Sequence, residues 1–139
     1  PMTMSLYMEA HLAAPRRSRN IIFELRGSEF PDEFVVFGGH SDSWDIAEGA
    51  MDDGGGITSA WNAIRILASL GIRAKRTLRA VMWVNEENGD KGGQAYAQRH
   101  ANELNRTSLA YETDEGAFAP WALSFTGSDV AYNQLVLLS

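Results

Sequence analysis

The sequence predicts an α/β fold in which helices pack on the faces of a mostly parallel sheet, and three observations carry that expectation. Residues 34–39, FVVFGG, form a continuous apolar run of the kind found in a strand buried on both faces, and residues 78–84, LRAVMWV, are a second candidate. Between them Ile57, Ala60, Trp61, Ile64, Leu67 and Ala68 recur at helical spacing, with Gly71 where a helix-terminating glycine belongs. From Phe34 to Asp114 the order is strand, helix, strand, helix, strand. Two right-handed crossovers make those strands parallel and align their carboxyl ends on one edge.

The other elements follow in chain order. Residues 3–11 (TMSLYMEAH) and 20–26 (NIIFELR) are short β-leaning runs, joined by a surface turn that holds Pro15 and a basic patch of Arg16, Arg17 and Arg19. Residues 93–104 (GQAYAQRHANEL) supply the second helix and residues 108–114 (SLAYETD) the third parallel strand. A further strand is expected at residues 122–128 (ALSFTGS), after which Ser128 caps a last helix, DVAYNQLVLL, at residues 129–138. Trp61 and Trp83 are expected in the core. The 139 residues suit one domain, residues 1–139, without repeats, linkers or low-complexity segments.

Composition narrows the function. Hydrophobic residues make up 45% and charged residues 22%, which describes a folded chain rather than a disordered one. A net charge of −6 argues against a nucleic-acid partner, because phosphate binding draws on a basic surface. The absence of cysteine removes disulfides, thiolate metal sites and cysteine nucleophiles together. No apolar run reaches the roughly 18 residues of a membrane span, and the first residues lack the layout of a signal peptide. A cleaved signal leaves no trace, so the compartment stays open; Pro1 ahead of Met2 hints at processing or at excision from a longer chain.

Acidic residues gather where the parallel strands end. The stretch GGHSDSWDIAEGAMDDGGG, residues 38–56, holds one histidine, five acidic residues and six glycines, with no lysine or arginine. His40 and Asp42 follow the first parallel strand, Glu86 and Glu87 the second, and Asp114 the third, while Asp52 and Asp53 open the central helix at the same edge. Each has an ordinary structural reading: helix start for Asp52 and Asp53, solvated loop for Glu86 and Glu87, lone polar strand end for His40, turn for Asp114. His11 and His100 keep that ordinary reading, since neither lies near an acid-bearing strand end. The coincidence at one edge favours a divalent cation, because neighbouring carboxylates at low dielectric cannot all ionise unaided. Imidazole and carboxylate without thiolate suit zinc, with manganese or cobalt as alternatives. A carboxylate shared by two ions about 3.5–4 Å apart accounts for the number of acids.

The motifs GGHSDSWD, GAMDDGGG, WVNEENGDKGGQAYA and YETDEG resemble those of the co-catalytic zinc exopeptidases, closest to the plasma glutamate carboxypeptidase type, over roughly residues 20–128. The resemblance implies a three-layer α/β/α sandwich with a mixed, mostly parallel sheet. It implies that His40, Asp52 and Asp114 hold one zinc, that Asp52 bridges to a second zinc also bound by Glu87, and that a cis peptide joins Asp52 to Asp53. Glu86 matches the general base that takes a proton from the attacking water and returns it to the leaving amine; Asp42 matches the acid that orients the His40 ring. Ala47 stands where the family usually has glycine, and Asp90 where an apolar residue is usual. The family draws a final histidine ligand from beyond residue 139, so the resemblance implies a C-terminally truncated catalytic domain with one complete zinc site.

The resulting expectation is a metallopeptidase acting on short peptides or dipeptides, with a lean toward an exported enzyme. Two other readings stand beside it. One is an inactive metal-binding or interaction module that self-associates through an exposed sheet edge, which assay with and without zinc separates. The other is a single-zinc acyltransferase like the glutaminyl cyclases, which cyclisation of an N-terminal glutamine peptide decides.

Overall fold

The structure, a computed structural model of the chain, describes every residue except Pro1, Glu115, Ala117, Trp121, Leu138 and Ser139. Its centre is the apolar run starting at Phe34, which lies within β2 (Phe30–His40), preceded by β1 (Ile21–Leu25). The helical spacing forms α1 (Gly54–Ser69), followed by β3 (Arg76–Trp83), α2 (Lys91–Arg99), a 3-10 segment (Ala101–Arg106), β4 (Thr107–Glu112) and α3 (Asp129–Val136). The sheet order is β1-β3-β2-β4; β2 runs parallel to both neighbours, and β1 is antiparallel to β3. The connection from β2 steps to one side and that from β3 to the other, so the crevice between β2 and β4 is the switch point at which open α/β sheets bind ligands.

Alternation along the strands builds two apolar layers. Phe37 and Ala80 meet Ala60 and Ile64 of α1, with Phe23, Leu25, Val35 and Leu78 packed around them. Phe34, Val36 and Val81 form the other layer with Trp83 and with Tyr96 of α2. Helices therefore cover both sheet faces, as a sheet buried on two sides requires. α1 stops where glycine was expected: Gly71 takes φ +68°, its N–H donates to the Ala68 carbonyl and the Ile72 N–H to that of Leu67, closing both orphan carbonyls.

On the α2 side the sheet buries a charge. Arg79, 6% exposed, donates from Nε to Glu24 (2.5 Å) and from one terminal nitrogen to Glu103 (2.6 Å) and the Tyr96 hydroxyl (2.7 Å), and its guanidinium lies 4.2 Å from the centre of the Phe34 ring. His100 joins this network, 3.0 Å from Glu103 and stacked on Tyr96. Burial opposes the arginine charge, and Tyr96, Glu103 and Glu24 more than restore it.

Several expectations are corrected. Residues 3–11 and 122–128 are not strands; both lie largely exposed, outside the sheet. β propensity reflects fit to a neighbouring strand, and none accompanies them among the described residues. Trp61 is 40% exposed on the outer side of α1, where Arg65 lies over its ring at 5.7 Å, because Ala60 and Ile64 already fill the inward positions. The second helix begins at Lys91 rather than at residue 93 and gives way to the 3-10 segment after His100. Ser128 does cap α3, accepting from the Ala131 N–H, although residue 138 of the expected helix lies outside the described residues.

Candidate metal centre

The switch-point crevice places His40 at the last position of β2, Asp52 ahead of α1, and Asp114 two residues past β4. Among the described residues, these three bring one ligand atom each to within 4.8 Å of one another. His40 Nε2 lies 2.9 Å from Asp52 Oδ1 and 3.4 Å from Asp114 Oδ1, and the histidine is 1% exposed. The Asp42 carbonyl accepts a hydrogen bond from His40 Nδ1 at 2.9 Å, which leaves Nε2 as the free ring nitrogen facing the acids.

Local sequence explains why the histidine is held. Asp53 caps α1: Oδ1 accepts from the Gly56 N–H and Oδ2 from the His40 N–H, each at 2.9 Å. The helix-start reading of Asp53 is therefore sound, and the same carboxylate also ties strand end to helix start. Gly39 permits this, since a Cβ there would sit 2.0 Å from Asp53 Oδ2 and 2.8 Å from the Ile57 nitrogen. The peptide between Asp52 and Asp53 is cis.

Glu86 and Glu87 follow β3 in a tight loop. The Glu86 carbonyl accepts from the N–H groups of Gly89 and Asp90, and Asn85 and Asp90 take positive φ. The Glu86 N–H donates to Asp42 Oδ1 at 2.9 Å, so Asp42 links the loop to His40, which it touches through its carbonyl; the carboxylate itself stands 3.8 Å from Nδ1. Of the two departures from the resembled family, Asp90 caps α2 by accepting from the Gly93 N–H, and Ala47 closes the exposed loop after His40 through bonds with Trp44 and Ser43. His11 is exposed beside Glu9, and His100 sits in the Arg79 network, both away from the crevice.

The electrostatics are those of an acidic excess. Burial works against a charged His40, yet the Asp42 carbonyl and the carboxylates of Asp53, Asp114 and Asp52 raise it to about 9. Burial lifts Asp53 to about 6 against the two backbone donors that stabilise its anion. Glu87 is raised by desolvation and by Asp52, and Glu112 is raised to about 7 by desolvation and by Glu86. Asp42 Oδ2 and Glu87 Oε1 are buried oxygens without a hydrogen-bond partner. An imidazole nitrogen, converging carboxylates and orphaned acceptor oxygens fit a borderline metal ion such as zinc.

Two residues of this region do more than the sequence reading assigned to them. Asp53 holds the backbone of His40, a role visible only once the strand end and the helix start are side by side. Glu112 lines a cleft of about 370 Å³ with Trp83, Glu86, Asp90 and Gly93. Its position on the β4 face opposite Tyr111, whose ring stacks on Phe37, puts it on the α2 side, and alternation along the strand was the signal for that.

Comparison with known proteins agrees with this geometry. Peptidase family M28 matches residues 20–134. Carboxypeptidase Q from Rattus norvegicus is 43% identical over 130 residues, covering 94% of this chain and 28% of the relative, and that from Homo sapiens matches to the same extent. A probable leucine aminopeptidase 2 of Aspergillus oryzae is 33% identical over 86% of this chain and 24% of its own. Among solved structures, a peptidase M28 precursor from Shewanella amazonensis superposes with TM-score 0.73 at 39% identity, covering 85% of this chain and 27% of that one. The zinc aminopeptidase of Bacillus subtilis gives TM-score 0.60 at 26% identity, over 68% of this chain and 23% of that one. The chain thus spans about 28% of the length of the carboxypeptidase Q relatives it matches. With motif order, fold and family match in agreement, the chain belongs to peptidase family M28.

Proposed function

We propose that this chain carries the metal-binding and proton-transfer part of a zinc exopeptidase acting on short peptides. The observation that carries the reading is the convergence of His40, Asp52 and Asp114 within 4.8 Å at the sheet edge. In this assignment the three hold one zinc, and Asp52 with Glu87 faces a second. Zinc, when bound, polarises the scissile carbonyl and brings the pKa of the attacking water toward about 7.

The remaining chemistry belongs to the chain. Glu86 opens on the cleft and has its backbone pinned by Asp42, so its carboxylate is placed to take a proton from water and pass it to the leaving amine. The tight loop after β3 separates the two carboxylates: Glu86 lines the cleft, while Glu87 keeps a buried oxygen in the field of Asp52 and His40 and in this assignment turns to the metal. Asp42 fixes the His40 tautomer through its carbonyl.

The test is Glu86→Gln in protein that hydrolyses a dipeptide with zinc bound. Turnover is expected to fall by about 10²–10⁴-fold with zinc content unchanged; loss of zinc, or retained turnover, contradicts the role. A second reading, association between copies, draws support from β4, which pairs with β2 alone among the described residues and exposes Leu109 and Tyr111. Sedimentation at rising concentration tests it, with a stable monomer as the contrary result.

A further inference from the structure

The cleft beside Glu86 has a chemistry of its own. Trp83, Ala110 and Tyr111 line it, and its ionisable acids are Glu86, Asp90 and Glu112. No lysine or arginine lines it among the described residues. Lys91 follows Asp90 in sequence but reaches over Gly89 instead, and Arg79 is committed to Glu24 and Glu103. A volume of about 370 Å³ admits an amino-acid side chain. The long aliphatic stem of lysine or arginine packs well on an indole while its head seeks carboxylate.

We propose that this cleft is a specificity subsite for a basic side chain of the peptide substrate, with Asp90 and Glu112 as the residues that select it. The proposal rests on the peptidase reading for its substrate, but not on turnover for its test. Asp90 is well placed for this because its backbone is fixed twice, by φ +49° in the left-handed region and by the cap bond from the Gly93 N–H. Gly93 leaves room for that carboxylate, since a Cβ there would meet Asp90 Oδ1 at 2.2 Å.

The experiment titrates the zinc-loaded protein with lysinamide and with norleucinamide, which share the α-ammonium and differ in the terminal ammonium. Binding is followed by calorimetry and by the amide resonances of residues 86–93. Lysinamide is expected to bind about fivefold more tightly, the size of effect a partly exposed ion pair supplies. Asp90→Asn keeps a capping oxygen and tolerates the left-handed backbone, so it removes charge without removing the helix start. That variant is expected to lose most of the preference, and with Glu112→Gln added, all of it. Equal binding of the two amides, absence of binding by either, or a preference that survives both substitutions overturns the proposal. Lysinamide preference in a chain that takes up no zinc would contradict the metal-centre reading and leave the subsite standing.

Discussion

Arg79 and His40 are both buried charged or chargeable groups on neighbouring strands, yet their surroundings differ in one respect. Around Arg79 the chain supplies its own counter-charges, Glu24 and Glu103, together with the Tyr96 hydroxyl, and the network closes. Around His40 the carboxylates of Asp52, Asp53 and Asp114 outnumber the single imidazole, and Glu87 keeps a buried oxygen without a hydrogen-bond partner. The first arrangement holds structure together by itself. On the proposed reading a cation from outside completes the second, and that asymmetry separates a packing device from a binding site better than acid content does.

The difference is sharpest when the two regions are broken in turn. Arg79→Ala leaves Glu103 facing a cavity in the sheet, and unfolding free energy is expected to drop by about 3–5 kcal/mol whether or not zinc is supplied, as measured by urea denaturation. A loss that zinc repaired would mean that the two regions are not independent. Gly39→Ala strikes the other region: its Cβ cannot coexist with the Asp53 carboxylate 2.0 Å away. It is expected to cost about 1–3 kcal/mol and to lower zinc affinity together, because His40 and the start of α1 share that carboxylate. Unchanged zinc affinity would detach Asp53 from the site.

The smallest effect concerns pH. Burial pushes Glu103 up, but its bonds with Arg79 and His100 prevail and its folded pKa lies below the ordinary value. A depressed carboxylate adds stability that is present above the unfolded pKa of about 4.3 and lost as pH falls through the folded one. Wild type and Glu103→Gln are therefore expected to differ in Tm at neutral pH and to converge as pH falls below about 4.3 and through the folded pKa. A constant gap across that range would remove the ionic contribution.

The sequence made β2, β3 and α1 legible because each carries a long apolar signal that only one environment satisfies, whereas β4, largely exposed at the sheet edge, was legible from its place in the strand and helix alternation. FVVFGG has to be buried on both faces, and the spacing from Ile57 to Ala68 has to meet a sheet. Weaker signals failed where they depended on a neighbour. TMSLYMEAH and ALSFTGS lean toward β structure, but among the described residues no strand accompanies them. The pairing of β1 with β3, antiparallel, left no mark in NIIFELR, since strand direction is set by partners. At the crevice, the spacing of acids pointed to residues that the fold brings together, His40, Asp52 and Asp114. It did not reveal that Asp42 reaches His40 through a carbonyl, nor that Asp53 holds the His40 amide, because both contacts are made by backbone groups that no motif spells out.

Zinc stoichiometry by elemental analysis, after dialysis into metal-free buffer, asks whether the His40, Asp52 and Asp114 cluster holds a metal. About one tightly held zinc per folded chain is expected, from the three convergent ligands at the sheet edge, and near zero in His40→Ala and Asp114→Asn that remain folded by circular dichroism. A folded chain that takes up no zinc when it is resupplied, or variants that hold it as tightly as the parent, would contradict the assignment of the sheet edge as a metal centre.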